Sequence, residues 1–127
     1  MTQEQKYLLI KDLCGRLSHG VKCKILETNE VKILGSIQYD GENTLFDFWE
    51  NDQKIQYGYQ LYLSEFKPYL LPLSSMTAEQ KTSHNFLKHS AYANPTKLID
   101  WYNKNHFDYR GLIPMGLAND ATGLNIY

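Results

Sequence analysis

Apolar residues recur with two different periods along this chain, and the change of period divides it into elements. A Thr-x-x-Gln capping box at Thr2 and Gln5 predicts the start of a helix. The spacing that follows is that of an amphipathic helix, with one apolar stripe of Tyr7, Ile10, Cys14 and Leu17, and with Leu9 and Leu13 alongside it. We therefore expect a helix of about three turns packed on a sheet.

From residue 21 the period falls to two, which is typical of half-buried strands. Strands are predicted at 21–25, 31–39, 44–49 and 55–63. Gly35 lies inside the second of these and predicts a bulge or a sharp bend. Asp40-Gly41 predicts the hairpin turn that follows. Four consecutive strands with short turns predict an antiparallel β-meander, and the bend at Gly35 raises the option of a small SH3-like barrel.

The C-terminal half of the chain, from residue 66, is predicted to be mainly helical. Residues 66–72 contain two prolines, so we expect a connector that crosses the sheet and not a helix or a central strand. A second capping box at Thr77 and Gln80 predicts a helix to about His89. Asn94 and Pro95 predict the start of another helix, which Asn105 could end. The fold class is thus α+β, in one domain over residues 1–127.

Charge and cysteine content narrow the classes of function. The formal net charge is −1, and five acidic residues without a basic one lie between residues 40 and 52, namely Asp40, Glu42, Asp47, Glu50 and Asp52. That balance disfavours a nucleic-acid partner, because such proteins concentrate positive charge on one face. Cys14 and Cys23 lack metal-type spacing and are each expected to lie in the core, on the inner face of the helix and in a strand. We expect no membrane partner and a cytoplasmic location, since no signal-peptide or membrane-length apolar run occurs.

Three segments resemble a group of small uncharacterised proteins from gut anaerobes and their prophages. The segments are residues 11–22, 67–77 and 106–113, the last with Gly116-Leu-Ala118. The resemblance covers both ends of the chain and the middle connector, while the strands between them are not matched. It implies a mobile-element setting and a cytoplasmic address, and it carries no activity or catalytic residue.

The sequence contains no recognisable reaction motif. The hydrolase elbow, the P-loop and the dinucleotide fingerprint are absent, and Ser74-Ser75 is better explained as the approach to a capped helix than as a nucleophile for His84. His84 and His89 are five residues apart, which places them about 140° apart around a helix. A two-histidine metal site on a helix uses a spacing of four. We therefore predict no metal site and no cofactor.

The best acid–base candidate is a polar cluster after the last helix, formed by His106, Asp108 and Arg110. A carboxylate near an imidazole suits a general base, so a small hydrolase-like enzyme is one alternative. The structural interpretation is favoured, because His106 follows a helix C-terminus and Asp108 can cap the next turn. Arg110 would then pair with Asp108 or bind a carbonyl.

The leading hypothesis is a non-enzymatic protein-interaction module. Its candidate face combines carboxylates and rings of the strands, which suit a basic or proline-containing peptide, and consists of Asp47, Trp49, Glu50, Tyr57 and Tyr59. The competing interpretation is that alternate rings form the core and the acids lie in solvated turns. A second alternative function is a weak single-strand nucleic-acid binder that uses exposed rings. A homodimer is compatible with each of these hypotheses.

Overall fold

The chain folds as one α+β structure in which an N-terminal helix covers an open, mixed sheet. In this computed structural model the structure describes residues 1–50, 55–90 and 94–127, with the backbone alone at residues 50 and 55–59. The helices are α1 (Gln3–Arg16), α2 (Ala78–Ser90) and α3 (Pro95–Lys104). The strands are β1 (Lys22–Ile25), β2 (Val31–Tyr39), β3 (Thr44–Glu50), β4 (Ile55–Leu61), β5 (Phe66–Leu70) and β6 (Asn119–Asp120).

The sheet has the order β4-β3-β2-β1-β5-β6 and ends in two separate edges. In this order, each of the first five strands, from β4 through β1 to β5, pairs antiparallel with its neighbour. Strand β6 pairs parallel with β5. The α+β class with an N-terminal helix is therefore confirmed. The prediction of a sheet of four strands is wrong in extent, because β5 and β6 extend it, and the sheet does not close into a barrel.

The segment expected to be a connector is strand β5, and its proline explains why it was missed. Leu26 donates its N–H to the carbonyl of Glu65 at 3.0 Å, which marks a hydrogen-bonded pair between β1 and β5. Antiparallel ladders alternate, so Pro68 lies opposite Cys23 in a non-hydrogen-bonded pair. The proline nitrogen then points away from β1, where its missing N–H costs no ladder bond, and β6 joins β5 only from Tyr69 onward.

The predicted irregularity at Gly35 is confirmed as a shift of register between Leu34 and Ser36. The indole of Trp49, on the neighbouring strand, packs onto this glycine. A Cβ at residue 35 would lie 2.8 Å from Cε2, 2.9 Å from Cδ2 and 3.1 Å from Nε1 of the indole. Three nearly equal distances mean that the ring lies flat on the glycine, which is the close approach that a missing side chain permits.

Local capping chemistry starts α1 and α2 as predicted, whereas the Asn94 side chain before α3 makes no capping bond. In the first capping box Gln5 donates its backbone N–H to Oγ1 of Thr2 at 3.1 Å, and the Thr2 N–H donates to Oε1 of Gln5 at 2.9 Å. The same reciprocal pair joins Thr77 and Gln80 before α2. These side chains satisfy N–H groups that a helix start leaves without partners.

The buried face of α1 differs from the predicted stripe. Tyr7 and Cys14, expected to face the sheet, are exposed. The buried positions are Leu9, Asp12, Leu13 and Arg16, so the helix is rotated relative to the apolar pattern. The difference arises because two charged residues, which a hydrophobicity pattern assigns to solvent, occupy the interior. Cys23, in contrast, is buried in β1 as expected, and burial raises the pKa of its thiol.

The core consists of two clusters. The larger one packs α1 on the inner face of the sheet, and its ring contacts are edge-to-face, with Phe66 5.0 Å from both Phe46 and Phe48. The smaller cluster joins α3 to the segments after β5 through Met76, Tyr102 and Phe107. One face of the sheet is thus covered by α1 and the C-terminal turns. The opposite face, called the outer face below, carries the alternate residues of β1, β2, β3 and β5.

Candidate functional site

The polar cluster predicted from the sequence begins at the C-terminus of α3, where His106 occupies a strained position. The N–H of Phe107 donates to the carbonyl of Tyr102, and the N–H of His106 donates to that of Asn103. This is a Schellman motif, whose left-handed residue is usually glycine. Here it is His106, with φ of +63°. This left-handed conformation turns the chain out of the helix at His106.

Asp108 is a cap for the turn that follows. Its Oδ1 accepts the N–H of Leu112 at 2.8 Å, and its Oδ2 accepts the N–H of Ile113 at 2.9 Å. The side chain is buried, and both oxygens are used by the backbone. The ring of His106 instead stacks on Tyr127, with centroids 3.6 Å apart and planes 8° apart. The two residues therefore have separate partners, and the arrangement does not resemble a carboxylate–imidazole pair.

Arg110 belongs to a buried ionic cluster that sequence reasoning did not find. Its Nε donates to Oδ1 of Asp12 at 3.1 Å, and not to Asp108. Arg16 holds the other oxygen of Asp12 through a 2.7 Å bond from Nε, and it also donates from Nη2 to the carbonyl of Phe107 at 2.7 Å. The cluster therefore ties α1 to the segment after α3. In the sequence, the i,i+4 spacing of Asp12 and Arg16 indicates that these two residues can pair on one helix face, but it does not indicate the contact with Arg110.

Cationic and aromatic groups surround this cluster. The guanidinium of Arg110 lies 4.8 Å from the centroid of the Tyr109 ring, and that of Arg16 lies 5.6 Å from it. Within the described part of the chain, Nη1 of Arg16 and Nδ1 of His106 are buried without a hydrogen-bond partner. Desolvation, together with the positive charges of Arg16, His19 and Lys22, lowers the pKa of His106 to about 4. The imidazole is thus neutral near pH 7.

Tyr127 connects the C-terminal segment to the sheet. Its hydroxyl accepts the N–H of Lys22 at 2.7 Å and donates to the carbonyl of Tyr69 at 2.8 Å. It therefore bridges β1 and β5 where their ladder stops, and burial raises the pKa of the phenol. Lys22 also donates from Nζ to the carbonyl of Ile126 at 2.8 Å. These contacts hold the His106–Tyr127 stack at the end of the outer face.

The structure describes part of the candidate face predicted on the strands. Asp47 is 1% exposed, and its Oδ2 accepts bonds from Oγ of Ser36 and Nε2 of Gln38, both at 2.7 Å. Trp49 is partly exposed and lies on Gly35. The side chains of Glu50, Tyr57 and Tyr59 lie outside the described residues. Of the two members that can be placed, the ring is accessible and the carboxylate is not.

A second surface is formed by α2 and α3, which contact each other through His84 and Tyr102. The 13 residues of α2 include none that is buried, and the ring of Phe86 is 72% exposed. An open groove of about 470 Å³ lies between the two helices and is lined by Thr82, Ser83, Phe86, Leu87 and Trp101. It is the surface that we call the α2–α3 groove.

The wall of this groove is rigid because the Trp101 indole is held by stacked rings. Its centroid lies 5.7 Å from His84 and 5.4 Å from Phe107, with interplanar angles of 11° and 24°. His84 is itself fixed by a 2.6 Å hydrogen bond between its Nε2 and the Tyr102 hydroxyl. Desolvation and the charge of Lys88 lower the pKa of His84. The hydrogen bond between His84 and Tyr102 attaches α2 to α3.

The structure and the comparisons with known proteins add few further constraints. Within residues 1–50, 55–90 and 94–127, no group of three or more potential metal ligands comes together, and no helix is long and apolar enough to cross a membrane. Searches of protein families, of curated proteins and of solved structures found no match to this chain.

Proposed function

We propose that this protein is a non-enzymatic protein-interaction module and that it binds its partner in the α2–α3 groove. The observation that carries the proposal is the exposure of α2, which presents Phe86 to solvent beside the fixed indole of Trp101. Exposed apolar grooves with polar edges are typical of protein-binding sites. The resemblance to small prophage proteins supports an accessory role in a mobile element as part of the same proposal.

The groove suits an amphipathic helix with acidic flanks. Grooves between two helices bind the apolar face of such a segment, and the hydroxyls of Thr82 and Ser83 provide a polar edge. The surrounding sequence has an excess of positive charge, because residues 78–104 contain four lysines and two carboxylates. The residues concerned are Lys81, Lys88, Lys97 and Lys104, against Glu79 and Asp100. Carboxylates on the edges of a bound helix would complement them.

The enzymatic alternative has less support. Asp108 is engaged by two backbone N–H groups, and His106 is stacked on Tyr127. A general base needs a proton within hydrogen-bond reach and a partner that orients it. Neither requirement is met by the described contacts of these two side chains. We therefore do not propose a reaction.

The test compares Phe86→Ser with Tyr7→Ser, a matched removal of an exposed ring on α1. Both variants should retain the wild-type circular dichroism and melting temperature, because both rings are largely exposed. A synthetic amphipathic helix with acidic flanks is titrated into each protein and followed by NMR. We expect shifts of residues 82–87 and 101 that Phe86→Ser abolishes and Tyr7→Ser preserves. Equal shifts in both variants, or none in wild type, would contradict the proposal.

Light scattering on the same proteins tests whether the groove is instead occupied by a second copy of the chain. If the wild type is a dimer that Phe86→Ser converts to a monomer, the groove is occupied by a second copy of the chain. That result would contradict the binding of a different protein at this site. A wild type that remains monomeric at the concentrations of the titration agrees with the proposal.

A further inference from the structure

The outer face of the sheet brings three lysines together. Lys24 of β1 lies directly opposite Lys67 of β5 in the antiparallel register. Lys22 is two residues before Lys24 and therefore projects from the same face, where its Nζ also donates to the carbonyl of Ile126. The Cβ atoms of facing residues are about 4.5–5.5 Å apart, so the two ammonium groups can reach one ligand. We call Lys22, Lys24 and Lys67 the lysine cluster.

Within the described part of the chain, no carboxylate forms an ion pair with the lysine cluster. Among the residues that the structure describes, neither Lys24 nor Lys67 forms an ion pair. Two acidic side chains near β1 and β5 have other partners, since Glu30 pairs with Lys32 at 3.5 Å and Glu65 accepts the N–H of Tyr62 at 2.7 Å. Like charges directly opposite each other destabilise a sheet. An arrangement that is unfavourable for the free protein is instead suitable for a bound anion.

Trp49 extends the same face by two strands. It lies opposite Ile33, and Ile33 lies opposite Lys22, so an aromatic, an aliphatic and a cationic side chain form one row across β3, β2 and β1. The indole lies flat on Gly35 and is partly exposed. An open sheet with a partly exposed ring and nearby lysines has the components with which proteins bind single strands, namely base stacking and phosphate contacts.

We propose that the outer face binds single-stranded nucleic acid, with phosphates on the lysine cluster and a base on Trp49. Two of the acidic residues that disfavour such a partner in the sequence, Asp40 and Glu42, lie at a distance from the lysine cluster. Asp40 and Glu42 follow the end of β2, six residues beyond Ile33, which corresponds to about 20 Å along a strand. That separation exceeds the screening length of about 8–10 Å near physiological salt. Asp47 projects from the same face as Trp49, but it is buried, with bonds from Ser36 and Gln38.

This site is distinct from the α2–α3 groove and can be tested separately. The probe is a fluorescently labelled 12-nucleotide oligo(dT) or oligo(U), with affinity measured by anisotropy between 50 and 200 mM salt. The double variant Lys24→Gln/Lys67→Gln should weaken binding on the order of tenfold. It should also reduce the slope of log affinity against log salt by about 1.4, because two phosphate contacts are lost from a single strand. Trp49→Leu should weaken binding with the salt slope unchanged.

The control is Lys6→Gln/Lys11→Gln, which removes the same charge from exposed positions on α1. It should leave affinity and slope close to those of the wild type. Absence of binding by the wild type at 50 mM salt would overturn the proposal, as would an equal loss in both double variants. Preferential binding to phosphatidylserine vesicles, lost in Lys24→Gln/Lys67→Gln and unaffected by Trp49→Leu, would assign the cluster to a membrane surface and would also overturn it.

A measurement of the melting temperature of Lys67→Glu distinguishes a loss of binding from a loss of folding. Lys67→Glu replaces a like-charge pair with an opposite-charge pair, so the melting temperature should rise slightly while oligonucleotide binding is lost. A variant that is more stable and yet inactive cannot be explained by unfolding. If Lys67→Glu binds as tightly as the wild type, the lysine cluster is not the phosphate site.

Discussion

Arg16 donates from Nε to Oδ2 of Asp12 at 2.7 Å, in a pair one helical turn apart whose two side chains are entirely buried. Burial of a charge is unfavourable unless other polar groups satisfy it. Here the carbonyl of Phe107 and the guanidinium of Arg110 complete the cluster. The ion pair therefore joins the first helix to a segment more than ninety residues later and positions the His106–Ile113 region.

We expect Arg16→Met to lower the free energy of unfolding by about 3–5 kcal/mol, because Asp12 would lose its buried partner. The double variant Asp12→Leu/Arg16→Met should be less destabilised than the sum of the single variants, since it leaves no unpaired charge in the interior. Urea unfolding of the two single variants and the double variant measures this coupling. Additive losses would show that the pair does not act as a unit.

Asp108→Ala should destabilise the protein by about 2 kcal/mol, because the N–H groups of Leu112 and Ile113 would lose their acceptors. Asp108→Asn keeps one acceptor oxygen and should lose less. Asp120→Ala is the matched control, since Asp120 caps the N–H of Thr122 at an exposed turn and should cost about 1 kcal/mol or less. An Asp108→Ala variant as stable as the wild type would refute the capping role.

Gly35→Ala should cost about 1–3 kcal/mol, because the added Cβ would lie 2.8 Å from the indole of Trp49 and the ring would have to move. The variant Gly35→Ala/Trp49→Leu should be less destabilised than the two single changes predict. Thermal unfolding of the four proteins of this cycle gives the coupling. If the loss in Gly35→Ala persists in full beside Trp49→Leu, the backbone and not the ring requires glycine.

The stability of the protein should fall as the pH decreases from about 6.5 toward 4. The folded pKa of His106 is about 4, below the ordinary value of 6.5, so the unfolded state binds more protons in this interval. The contribution of His106 to the free energy of unfolding is complete above pH 6.5 and is lost as the pH falls toward 4. His106→Asn removes the titration while tolerating the positive φ.

The difference in the free energy of unfolding between wild type and His106→Asn should therefore shrink as the pH falls from 7 to 4. Urea titrations at four pH values across that range measure it. Other titrating groups act in both proteins and cancel in the difference. A difference that is constant with pH would show that His106 has the same pKa in the folded and unfolded states.

Much of the local structure could be predicted because the determining residues are close in sequence. The two capping boxes start α1 and α2, and Pro95 is the first residue of α3 as predicted. The period of two marks the first four strands. The bulge at Gly35 followed from the same reasoning. In each case the physical cause, a cap, a pleat or a missing side chain, acts over a few residues.

The predictions from the sequence are wrong where a contact between residues far apart in the sequence outweighs a local preference. Pro68 disfavours a strand, yet β5 forms because its nitrogen faces away from β1. Asp12 and Arg16 are polar, yet they are buried because Arg110 and the Phe107 carbonyl satisfy them. The two-residue strand β6 has no periodicity of its own and exists only through its pairing with β5.

The sequence by itself determined the class of fold, the starts of the helices and the bounds of most strands, since these depend on hydrophobic period and on hydrogen bonds between near neighbours. Only the tertiary structure decided which charged side chains are buried and which surfaces remain open. Lys22 and Lys67 are 45 positions apart in the sequence and share one face solely because β1 pairs with β5. Long-range strand pairing is not encoded in any local pattern, and the candidate surfaces of this protein arise from it.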